Sequence, residues 1–73
     1  LKKVYIEFGN NVNKDGFSIH GIENVLSGPG NILSFMYSGN MNVLVNMLAG
    51  NEIINLMIEE PSLEEIFMHY YKL

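Results

Sequence analysis

The chain of 73 residues contains no cysteine and no arginine, only one aspartate, two histidines and two prolines. Without cysteine there is no disulfide and no thiolate metal site, a usage that fits a reducing compartment. The four lysines are the only cations, and the net charge is −4. Binding to nucleic acid requires clustered cations that displace counterions from phosphates, and an anionic membrane surface repels a chain of this sign. No apolar run approaches the ~20 residues that span a bilayer. No signal-peptide pattern is visible.

What is present belongs to a small folded domain. The hydrophobic fraction of 48% argues against disorder. The length suits one domain over residues 1–73. A core of this size supplies about 3–5 kcal/mol, so the domain is expected to rest against a larger partner. Leu1 stands just before a strand pattern, and the chain is expected to be an excised piece of a longer subunit.

Val4, Ile6 and Phe8 alternate with Lys3, Tyr5 and Glu7, the period of a half-buried strand. Residues 9–16 read as a loop. Residues 17–21 suit either a helical turn or an irregular crossover. Ile22 to Leu26 and Ile32 to Tyr37 read as two strands of a hairpin, turned by Gly28-Pro29-Gly30. Asn40 is placed to cap a helix whose stripe is Met41, Leu44, Val45 and Leu48, with Gly50 at a left-handed C-cap. Val43 and Met47 lie off that stripe and form a candidate interaction face. Ile53 to Ile58 reads as a strand in preference to a buried helix, ending before Pro61.

The last helix carries the strongest local signal. Ser62 with Glu65 three residues on makes a capping box, and Glu64 and Glu65 complement the helix dipole in the first turn. Leu63, Ile66, Phe67 and Tyr70 form one apolar face, expected to lock the helix onto the sheet. The order of elements predicts an α+β fold: an open sheet of about four strands with helices on one face. The arrangement is ferredoxin-like, with a degenerate first helix and an extra C-terminal helix.

Chemistry is sparse. Leu26-Ser27-Gly28-Pro29-Gly30 is not a P-loop, since no Gly-Lys-Ser/Thr follows. It shares Leu-Ser-Gly with the ABC signature but lacks the second glycine and the glutamine, so a hairpin turn explains it better. His20 and His69 are too few for a zinc site. Ser27, Ser34 and Ser62 have no evident base. Glu59, Glu60, Glu64 and Glu65 read as capping residues on a solvated face. No catalytic, cofactor-binding or metal-binding residue is assigned.

Residues 58–71, IEEPSLEEIFMHYY, resemble the C-terminal end of ATP-binding subunits of ABC transporters of the bacterial multidrug and antibiotic exporter type. These subunits close with Glu-Pro-Ser/Asp-Leu-Glu-Glu-Ile/Val-Phe. Phe35-Met36-Tyr37 followed by Gly39-Asn40-Met41-Asn42-Val43-Leu44 also matches the family, as does Gly21-Ile22-Glu23-Asn24-Val25. The similarity runs from Gly21 onwards and is densest in the terminal motif. It implies a non-catalytic accessory domain, not an enzyme in itself, following an ATPase domain that binds ATP and magnesium. Pro61, Ser62, Leu63, Glu64, Glu65, Ile66 and Phe67 carry over as the motif that starts and anchors the last helix. The implied partners are its own nucleotide-binding domain, the ATPase homodimer or heterodimer, and the membrane permease. The implied location is cytoplasmic, peripheral at the inner membrane face. A small-molecule-sensing ferredoxin-like module is the alternative.

Overall fold

The computed structural model describes residues 1–12, 17 and 19–71. Their elements run β1 (Lys2–Phe8), β2 (Ile22–Ser27), β3 (Ile32–Tyr37), α1 (Met41–Leu48), β4 (Ile53–Glu59) and α2 (Leu63–Tyr71). The strands form one antiparallel sheet in the order β2-β3-β1-β4. This is the α+β, ferredoxin-like open sheet that the pattern of elements predicts. The expected loop and the ambiguous segment after β1 fall partly on residues 13–16 and 18, outside the described residues.

Strand alternation sorts the sheet into two faces. Val4, Ile6 and Phe8 of β1 and Leu33, Phe35 and Tyr37 of β3 are buried on one of them, with Leu44 and Leu48 of α1 above them. Phe17, from the β1–β2 connection, joins the same cluster and stands 5.4 Å from the Phe8 ring. Phe17 of the first crossover and α1 of the second therefore cover one face. The extra C-terminal helix does not join them, because its partners Lys3 and Glu23 stand on the opposite face.

Local chemistry explains the boundaries. Gly28 donates to Ile32 O at 2.9 Å, and Gly30 takes φ +72°, so Gly28-Pro29-Gly30 closes the hairpin. Asn40 caps α1, its side-chain oxygen accepting from the Asn42 amide at 2.8 Å. The C-terminus of α1 differs from expectation. Ala49 is the C-cap in right-handed conformation, and Gly50 does not adopt positive φ. The Asn51 amide and side chain take over the last carbonyls, bonding to Leu48 O at 3.0 Å and Met47 O at 3.3 Å. The helix is also seated differently. Val45 is exposed, and Met47 packs against the core beside the buried Leu44 and Leu48.

β2 carries a bulge between Glu23 and Leu26, where Asn24 takes φ +56°. Gly21, at φ +100°, lies so close to Gly39 that an added Cβ would stand 2.7 Å from its amide nitrogen. The Ser38 amide donates to Gly21 O at 3.0 Å. This contact ties the start of β2 to the end of β3.

Candidate functional site

Pro61 is buried and turns the chain out of β4. The Ser62 amide then donates to Glu65 Oε1 at 2.9 Å, and the Glu65 amide donates to Ser62 Oγ at 3.1 Å. Both halves of the capping box are formed. The Ile66 amide bonds to Ser62 O at 3.0 Å, closing the first turn.

The second oxygen of Glu65 reaches the sheet, where Lys3 Nζ lies 2.6 Å away. Lys3 stands on the face of β1 opposite the core cluster, one residue out of phase with Val4. The Lys3 ammonium and then the Ser62 amide hold the Glu65 carboxyl below the usual carboxylate range. In return, the hydrogen bond and charge of Glu65 raise Lys3. One turn further on, His69 Nδ1 lies 3.2 Å from Glu23 Oε2 on β2. Lys2 and Glu60 pair beside the linker, which lowers the Glu60 carboxyl.

These polar contacts decide the rotation of α2. Glu65, Ile66 and His69 turn toward the sheet and are partly buried. The expected anchors do not: Leu63 is 83%, Phe67 51% and Tyr70 69% exposed. Phe67 stacks on Tyr71, with ring centroids 4.5 Å apart, rather than on the sheet. The apolar face is real, but the described residues of the sheet do not cover it. The physical reason is the charged face of β1 and β2, which offers Lys3 and Glu23 and draws the polar side of the helix. Glu64 is exposed. Of the face proposed on α1, only Val43 is exposed.

An open cleft of about 750 Å³ runs between α2 and this face of the sheet, with Leu26, Ser34, Met36, Met68 and His69 among its lining residues. No group of three or more His, Asp or Glu among the described residues stands close enough to hold a metal ion. No described helix is long and apolar enough to cross a membrane.

Sequence reasoning missed the docking roles of Lys3 and Glu23, because their partners Glu65 and His69 lie 62 and 46 residues further along the chain. Asn24 did offer a signal for the bulge, since asparagine is depleted in strands and tolerates left-handed backbone. No family model, curated protein or solved structure matches this chain.

Proposed function

We propose that the chain is a non-catalytic accessory domain at the C-terminal end of an ABC-exporter ATP-binding subunit. What supports this reading is the terminal helix. Its motif residues form a complete capping box, while Leu63, Phe67 and Tyr70 stay out of the domain's own core. A helix that is rigidly started and docked through its polar side presents an apolar face to something else.

On this reading, that face packs against the subunit's own nucleotide-binding domain and helps set closure or assembly of the ATPase dimer. ATP and magnesium act upstream in the parent chain, and the permease carries the substrate. The domain sits in the cytoplasm, held at the inner membrane face through that permease. Removing the parent subunit's residues from Leu1 onwards is expected to impair assembly or change its ATPase rate. Normal assembly, ATPase rate and transport in the truncated subunit would overturn the proposal.

The cleft beside α2 favours a second reading, a small-molecule-sensing module. A thermal-shift screen separates the two, because a ligand that binds the folded state raises the melting temperature with the logarithm of its concentration once that exceeds Kd.

A further inference from the structure

The β4 edge is the least protected part of the sheet. It is the outer strand beside β1 and runs for seven residues, IINLMIE, without proline or lysine. Leu56 and Ile58 share the face of Val4 and Ile6, yet are 43% and 40% exposed, because no β4 residue lies within the buried cluster under α1. Met57, on the other face, is 54% exposed. Long apolar edges with open backbone groups template further strands, and soluble proteins normally blunt them with charge, proline or a bulge. Here such devices stand only at the ends of the strand: a bulge near its start, where the register with β1 shifts between Glu7 and Phe8, and the charge of Glu59 at its close.

That bulge leaves Asn55–Glu59 as the regular stretch, and its midpoint is Met57. We propose that β4 pairs antiparallel with β4 of a second copy of this chain, about a twofold axis through Met57, joining two sheets into one of eight strands. An antiparallel strand pair can be self-complementary, and this register suits the side chains. Leu56 faces Ile58 of the partner copy, twice, on the core side. Asn55 faces Glu59, a donor against an acceptor; one Asn55 N–H already bonds Glu7 Oε1 at 2.7 Å and the other remains for the partner. No like charges meet, and Glu60 is turned back to Lys2.

Both helices leave the edge clear. α2 runs from Ser62 across Lys3 of β1 to Glu23 of β2, away from β4. α1 covers β1 and β3. The pairing rests on this strand edge and not on the exporter reading, so either can fail without the other.

Sedimentation of the 73-residue chain, with single-cysteine variants, tests it. The chain is expected to dimerise reversibly. Directly opposed residues bring Cβ atoms to about 5 Å, so Met57→Cys should form a covalent dimer on mild oxidation. Asn55→Cys should not, because its mate lies about 14 Å along the strand. Ile58→Lys, at an exposed position, should weaken the dimer at least tenfold. If Ile58→Lys does not fold, the crosslinking pattern still decides. The proposal is overturned by a chain that stays monomeric at all concentrations, by a dimer indifferent to Ile58→Lys, or by crosslinking through Phe67→Cys in place of Met57→Cys.

Discussion

Glu65 does two jobs with two oxygens, and the pH response of α2 follows from that. Its carboxyl is held below its unfolded value, so its stabilising contribution is complete above the ordinary carboxylate value and is lost as pH falls through the folded one. Lys3 is held above its unfolded value, so its share is complete below the ordinary lysine value and is lost as pH rises past the raised one. The helix is therefore expected to stay docked throughout the range between the ordinary carboxylate and lysine values and to loosen only beyond the lowered Glu65 and raised Lys3 values. Helicity and the Ser62 amide shift, followed by NMR across pH, check this; a Ser62 amide unmoved by acid would contradict it. Ser62→Ala should cost about 1 kcal/mol through loss of the cap. Phe67→Ala, at a half-exposed site, should cost about 1 kcal/mol or less, whereas buried Phe35→Ala should cost about 3–5 kcal/mol. Urea melts of the two variants compare them directly.

The β2–β3 hairpin is where backbone constraint concentrates. Gly21→Ala would place a Cβ against Gly39 and force an alanine to φ +100°, so it should destabilise by well over ~1 kcal/mol. Asn24→Val should cost about 1–2 kcal/mol, and Asn24→Gly little, because only the valine resists left-handed backbone. Thermal melts of the three variants give the ranking. All six described elements were legible in the sequence, because period, caps and breakers are local. Gly28-Pro29-Gly30, Asn40 and the Ser62–Glu65 box each marked a boundary that the structure keeps. The seating of elements was less legible. A helical period reveals that Leu63, Phe67 and Tyr70 share a side, but not which surface awaits them. That depends on Lys3 and Glu23, brought beneath the helix only by the sheet order. The exchange of Val45 for Met47 in α1 has the same origin, since the cluster beneath the helix, built from β1, β3 and Phe17, decides which flank of Leu44 and Leu48 is covered.

At the scale of the molecule, the core is one-sided. Every member of the buried cluster lies in β1, β3, α1 or the first crossover, and none lies in α2. A chain ending at Glu60 is thus expected to keep a cooperative unfolding transition, with a lower midpoint. Loss of the transition would mean that α2 carries more of the fold than its burial indicates. The one-sidedness also explains why the site was only half visible: the motif marked the right helix, but its surroundings are made by residues distant in sequence. A final consequence lies in the shared carboxylate. Because the same Glu65 side chain completes the cap and grips Lys3, helix formation and docking are a single thermodynamic event. Undocking removes the Lys3 contact that helps orient Glu65 toward the Ser62 amide, and fraying removes the carboxylate that Lys3 holds. Amide exchange at Ser62, Glu65 and Ile66 should therefore proceed through one common opening, so that α2 behaves as a latch that is either shut or melted.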